Sequence, residues 1–215
     1  MDKKELESLE YLIKRFRDVK DEKPIFREAI RNMEAQREVM LGAQEKPKSY
    51  LKPPQIGGDN AQITIIEFID FECSPCKRAG GTIKKVLKAY PDKVRLIFRN
   101  FPTVEKHPFA VRAAEAALCA HEQGMFWEYY ELLFENQRGL DEKTLLNLGR
   151  EVGLDMDGFQ GCLLLNEVSK RVIADMELGL ELGVRKVPTF FINGRKIEGR
   201  KSLHMIDEIV KQELK

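Results

Sequence analysis

The hydrophobic pattern divides the chain near residue 59. Before that point Leu6, Leu9, Ile13 and Phe16 recur at three- and four-residue steps, with Glu, Lys and Arg between them. Such stepping lays one apolar stripe along a helix. Asp21 to Pro24 breaks the run; Phe26, Ile30, Met33 and Met40 then resume it, with Arg37 in the slot between the last two. The pattern predicts two amphipathic helices, an arm within residues 1–45. A helical hairpin of that size cannot bury its stripe alone, so it needs a partner surface. The rest of the chain is one candidate surface and a second copy is the other. The adjoining segment favours the second copy. Lys46-Pro47, Lys52-Pro53-Pro54 and Gly57-Gly58 make residues 46–59 a charged, Pro- and Gly-rich linker that detaches the arm.

From residue 60 the pattern alternates between strand and helix signals. Ile63-Thr64-Ile65-Ile66-Glu67-Phe68-Ile69 reads as a buried strand, and Arg78 to Ala89 as a helix ended by Tyr90-Pro91-Asp92-Lys93. Val94, Leu96 and Phe98 alternate with Arg95, Ile97 and Arg99 in a second strand, closed by Phe101-Pro102. An alanine-rich helix is predicted from His107 to Gln123, and another from Met125 to Glu135. Asp141 caps a third over Glu142 to Val152, Asp155 or Asp157 begins a fourth, and Asn166 to Leu182 makes a fifth, stopped at Gly183. Val187-Pro188-Thr189-Phe190-Phe191-Ile192 is the next strand. Asn193-Gly194 is a primed two-residue turn, with Lys196-Ile197-Glu198 as hairpin partner. Ser202 caps a last helix carrying Leu203, Ile206, Ile209 and Val210 on one face. The expected class is α/β, one sheet from residues 60–104 and 184–215, split by a helical insertion at 105–183.

Composition narrows the partners. At 215 residues, 43% apolar and 33% charged, the chain holds one substantial core plus the arm. A net charge of +1 gives no reason to expect nucleic acid or an anionic membrane as partner. No apolar run is long enough to cross a bilayer. Met1-Asp2-Lys3-Lys4-Glu5-Leu6-Glu7 is charged and lacks the apolar stretch of a signal peptide. Two readings stand: a cytosolic protein, or a mature chain without its leader.

The chemistry concentrates at Cys73-Ser74-Pro75-Cys76, where the first strand hands over to a helix. That layout is a thiol–disulfide exchange site. Unpaired N–H groups and the positive end of the dipole stabilise a thiolate at the helix start, which makes Cys73 the nucleophile. Pro75 suits the first turn, where its missing N–H has no partner to lose. Cys76, one turn deeper, is the resolving thiol. The pair could instead be half of a zinc site, but zinc needs a second ligand pair. Cys119, Cys162, His107, His121 and His204 are scattered, so no metal is expected. Glu67 shares the strand face of Ile63, Ile65 and Ile69 by the two-residue period. It is either a buried carboxylate with a raised pKa or a solvent-facing group at a sheet edge. Cys119 and Cys162 sit among small or apolar neighbours, where a buried free thiol is the default.

From about Asp59 onward the chain resembles the DsbA family of thioredoxin-fold thiol–disulfide oxidoreductases. The resemblance rests on Glu67-Phe68 before Cys73-Ser74-Pro75-Cys76, on Phe101-Pro102, and on Ala113-Ala114-Glu115-Ala116-Ala117. It continues through Gly124-Met125-Phe126-Trp127, Leu182-Gly183-Val184 and Val187-Pro188-Thr189-Phe190-Phe191-Ile192-Asn193-Gly194. It implies a thioredoxin fold with an inserted helical subdomain, no cofactor, and protein clients that are reduced or misbridged, served together with a redox partner protein. It also implies that Glu67 lies beneath the dicysteine, to relay protons to or from Cys76. Pro188 would be cis and opposite Cys73, with Val187 offering its backbone to an extended client; otherwise Pro188 is a strand-start proline without that contact. In a family often exported, a disulfide between Cys119 and Cys162 stands beside the free-thiol reading, and a periplasmic or other extracytoplasmic location beside the cytosolic one. The arm resembles those of oligomeric disulfide isomerases and suppressor-of-copper-sensitivity relatives, which implies a homo-oligomer.

Direction stays open between isomerase and oxidase. Ser74-Pro75 lacks the histidine that the strongest oxidants of the family carry, so a potential between about −270 and −120 mV is expected. Val187 resembles the oxidases and the arm the isomerases. A copper- or other soft-metal-handling module using Cys73 and Cys76 as ligands is the alternative function.

Overall fold

The computed structural model describes residues 52–58, 60–199 and 202–214. The helical pair expected at 1–45 and the first part of the linker lie outside the described residues. Elements run in the order β1 Gln55–Ile56, β2 Ile63–Ile69, α1 Ser74–Ala89, β3 Val94–Asn100, α2 Ala110–Glu122, α3 Phe126–Glu135, α4 Glu142–Glu151, α5 Met156–Leu163, α6 Asn166–Glu181, β4 Thr189–Ile192, β5 Arg195–Glu198 and α7 Ser202–Glu213. They form one five-stranded sheet, order β1-β3-β2-β4-β5. The β2–β3 pair is parallel, joined through α1, and the other pairs are antiparallel. This is a thioredoxin fold with a helical insertion, α2 to α6, between β3 and β4.

Strand β2 is central, paired with β3 on one side and β4 on the other. Both of its faces are covered by packed side chains as well, and its near-continuous apolar run follows from that. Ile63 and Ile65 pack with Ala79, Ile83 and Val86 of α1 and with Ile206, Ile209 and Val210 of α7. On the opposite face Phe68 packs with Phe191 and Val184. Gly179 of α6 lets the helix close on this face, since a Cβ there would lie 2.7 Å from the Phe101 ring.

The insertion docks through aromatic rings. Phe98 lies 4.8 Å from Phe126, and Phe71 lies 5.3 Å from Phe134, centroid to centroid. Pairs of this kind contribute about 0.5–1.5 kcal/mol beyond the area they bury. Asp175 of α6 adds a polar tie: it accepts the Asn100 N–H at 2.9 Å and pairs with Arg99 at 2.8 Å. Cys119 of α2 and Cys162 of α5 are joined by an S–S bond, with Cα atoms 5.8 Å apart.

Several boundaries differ from the sequence expectation; α1 begins at Ser74 rather than Arg78, and three other differences have a clear local cause. Residues 55–56, inside the expected linker, pair with Leu96 and Ile97 as β1. The helix expected from His107 starts at Ala110, because Thr103 and Phe109 give their N–H groups to carboxylates of the β2–α1 loop and His107 precedes a proline. Strand β4 begins at Thr189 rather than Val187; Pro188 has no N–H to give a ladder, and its carbonyl instead accepts from Gly199 at 2.8 Å.

Candidate active site

The C-terminal end of β2 delivers the dicysteine to the start of α1. Cys73 is the N-cap, extended at φ −79° and ψ 110°, and Ser74 and Pro75 form the first helical turn. The Cys73 N–H donates to the Asp70 carbonyl at 3.2 Å, and Cys76 N–H donates to the Cys73 carbonyl at 2.9 Å. Both thiols are free. Cys73 Sγ approaches the Val187 carbonyl at 3.8 Å across a cis Val187–Pro188 bond. Cys76 is fully buried behind it.

The two sulfurs sit in opposite settings. The Cys73 thiol is held below its usual range, first by the Cys76 side-chain hydrogen bond and, against burial, by the Cys76 backbone N–H. Burial pushes the Cys76 thiol well up, and the neighbouring Cys73 adds to it. Glu67, in the row of Ile63, Ile65 and Ile69, is fully buried between Phe98 and Phe190 of the flanking strands. Neither of its carboxyl oxygens has a hydrogen-bond partner among the described residues, and burial pushes its pKa up to about 8. The edge, solvent-facing alternative for Glu67 is excluded. Tyr130 stands beside this interior, its hydroxyl pushed up first by burial and then by the charges of Glu67 and Cys76.

A cavity of ≈450 Å³ opens in front of Cys73. Ser74, Pro75 and Val187 line it, with Phe101, Met176 and Leu180 as apolar wall. Pro188, joined to Val187 by the cis bond, is not among the residues that line it. The S–S bond between Cys119 and Cys162 ties two helices of the insertion together and is not among the groups around this cavity.

Three residues at the site escaped the sequence reading. Asp70, nearly fully buried, accepts the Glu72 N–H at 2.8 Å and the Thr103 N–H at 2.7 Å, and its Oδ2 meets His107 Nδ1 at 2.7 Å. Glu72 accepts the Phe109 N–H at 2.7 Å. These bonds fasten the loop before α2 to the loop before α1. The only signal in the sequence is two carboxylates at three and one residues before Cys73; nothing in the spacing points to a histidine 37 residues after Asp70.

A family model described as Thioredoxin matches residues 50–212. The chain is 34% identical over 193 residues to a Na(+)/H(+) antiporter NhaA 3 of Salinispora tropica, covering 86% of this chain and 29% of the antiporter. The chain thus spans less than a third of the length of the curated relatives it matches. Its structure resembles that of a thioredoxin-like oxidoreductase from Silicibacter pomeroyi, at TM-score 0.64 and 28% identity, covering 74% of this chain and 92% of that one. It also resembles the thiol-disulfide exchange protein alpha-DsbA2 of Wolbachia pipientis, at TM-score 0.67 and 21% identity, over 74% of this chain and 86% of that one.

Proposed function

The chain belongs to the thioredoxin family, and on that footing we propose that it is a thiol–disulfide oxidoreductase acting on protein cysteines through Cys73 and Cys76. One observation carries the reading: an N-cap thiol facing the Val187 carbonyl beside a cis proline, with a second thiol fully buried one turn deeper in the same helix. Cys73 thiolate attacks a client disulfide, forming a Cys73–client bond and releasing one client thiolate. Cys76 gives its proton to ionised Glu67 and attacks Cys73 Sγ. The second client thiolate leaves, the Cys73–Cys76 disulfide forms, and two electrons have passed to the client. Run backwards, the same steps oxidise a client; stopped after the first and repeated within one client, they isomerise it. Glu67 suits the relay because a pKa near 8 lets it hold or release a proton around neutrality.

Isomerase or oxidase work on misbridged or reduced clients is the finer form of the proposal, in an extracytoplasmic setting and with a partner that resets the pair. Self-association through residues 1–45 belongs to the same proposal, resting on the stripe of Leu6, Leu9, Ile13 and Phe16. Light scattering on the full chain should give a mass above one protomer; a monomer at micromolar concentration would remove that part. The chemistry is tested by trapping. Cys76→Ser should accumulate mixed disulfides with a scrambled, disulfide-bearing client, and Cys73→Ser should accumulate none. The reverse pattern would exchange the two roles, and trapping by neither would end the proposal.

A further inference from the structure

The dipeptide between the two cysteines, Ser74-Pro75, carries no ionisable side chain. Charge reaches Cys73 from elsewhere. Asp70 is three residues before it, nearly fully buried, and fixed by the N–H groups of Glu72 and Thr103. Alone, a fixed carboxylate at that place would oppose a thiolate. It is not alone: His107, on the loop before α2, sets Nδ1 2.7 Å from Asp70 Oδ2 and lines the same cavity as Cys73. The bond to Asp70 fixes the ring, and among the described residues Nε2 has no hydrogen-bond partner. About a quarter of the side chain remains exposed, so the ring exchanges protons with solvent.

We infer that His107 is a positioning residue for the exchange reaction: held by Asp70, it presents a positive charge that favours the Cys73 thiolate alongside the Cys76 hydrogen bonds, and that the Ser74-Pro75 dipeptide does not provide. This rests on the exchange activity proposed above. Protonated, His107 offsets part of the Asp70 charge and puts a cation on the wall of the cavity that Cys73 lines. Once it is neutral, Asp70 acts on Cys73 without compensation. The nucleophile is thereby gated by a group outside its own motif.

The surrounding charges agree in sign. His107 is raised above its ordinary range, first by its hydrogen bond to Asp70, against burial, with the charges of Asp70, Glu72 and Cys73 adding to it. Among the smaller influences on Cys73, Asp70 raises its pKa and His107 lowers it. The same cavity is lined by Glu105 and Lys106 from the loop of His107 and by Arg185 and Lys186 from the segment before β4, while α6 contributes the apolar Met176 and Leu180. The two sulfurs and these groups make up the field that any variant must be read against.

The test separates charge from shape. In the full chain on a Cys76→Ser background, thiolate absorbance against pH gives the Cys73 midpoint. His107→Gln keeps a donor for Asp70 and removes the cation; it should raise that midpoint by about 0.5–1 pH unit and slow alkylation at pH 6–7 by about 3–10-fold. His107→Arg keeps the cation and should hold the midpoint at or below its original value. Equal midpoints in the Gln and Arg variants would overturn the inference. A second measurement needs no substitution: by reciprocity, capping Cys73 as a neutral methyl disulfide should lower the His107 titration midpoint seen by NMR. An unmoved His107 would overturn the inference equally. A Cys73 midpoint at or above the ~8.5 of free cysteine in the otherwise unaltered chain would instead bring down the exchange reading itself.

Discussion

The two cysteine pairs of this protein stand in opposite surroundings. Cys73 and Cys76 are free, three residues apart, at the junction of a central strand and a helix. Cys119 and Cys162 are bonded, 43 residues apart, each within a helix of the insertion. Around the first pair lie Asp70 and His107, whose charges act on Cys73, with Glu72 acting on His107 and the buried Glu67 on the strand that leads to the pair. Around the second lie alanine, leucine and phenylalanine of the insertion, in the apolar core that also backs Cys73 and Cys76. A thiol pair does chemistry where it is close in sequence, open on one side and surrounded by titratable groups; elsewhere the same atoms act as a tie.

Substitutions should divide along that line. The largest effect on exchange is expected from Cys73→Ser, with complete loss of turnover on a scrambled disulfide protein and little change in stability. Cys119→Ala with Cys162→Ala should do the reverse. In the chain-entropy account, releasing a loop of 43 residues removes up to about 4 kcal/mol of stability. Exchange at temperatures well below the lowered midpoint should persist at near its original rate. Denaturant unfolding followed beside a turnover assay reads both quantities. If the double alanine variant unfolds with the original midpoint, the tie contributes nothing to stability; if it folds and cannot exchange, the two pairs are not separable.

The contrast also marks what the sequence could convey. Cys73, Cys76 and Glu67 are local features: a motif at a strand–helix junction, and a carboxylate out of place in a two-residue apolar period. The hairpin at Asn193-Gly194 is equally local, with Asn193 at φ 45° and Gly194 at φ 84° as a primed turn requires. The bond between Cys119 and Cys162 depends on how α2 and α5 pack, which no spacing specifies. Asp70 and His107 meet across two loops, where no periodicity exists to reveal a contact. Strand β1 is two residues long beside Pro53-Pro54, so composition reads as linker while the edge of β3 supplies the pairing. Elements are legible when the pattern that makes them lies within one turn or one strand.

The smallest but most discriminating change falls inside the first pair's surroundings, at Glu67. A buried carboxyl group with a pKa near 8 is neutral in the fold at pH values where the unfolded chain has already ionised it. Below its ordinary value of 4.5 both states hold the proton and Glu67 is neutral to folding. Between that value and about 8 the unfolded chain binds fewer protons, so stability falls steadily as pH rises, and above about 8 the loss is complete. Glu67→Gln removes this dependence without changing the size of the side chain. The variant should match the original protein near pH 4 and exceed it at pH 7 by on the order of 3 kcal/mol, since each pKa unit carries about 1.4 kcal/mol. Exchange should move the other way. Without a carboxylate to take the Cys76 proton, release of the mixed disulfide slows at neutral pH, while attack by Cys73 on a small disulfide keeps its rate. Stability curves at several pH values, run beside single-turnover kinetics of the two steps, decide the matter. A variant no more stable at pH 7 would mean that Glu67 is ionised or hydrated in the fold. One that is more stable yet resolves mixed disulfides at the original rate would leave the carboxylate buried but outside the reaction.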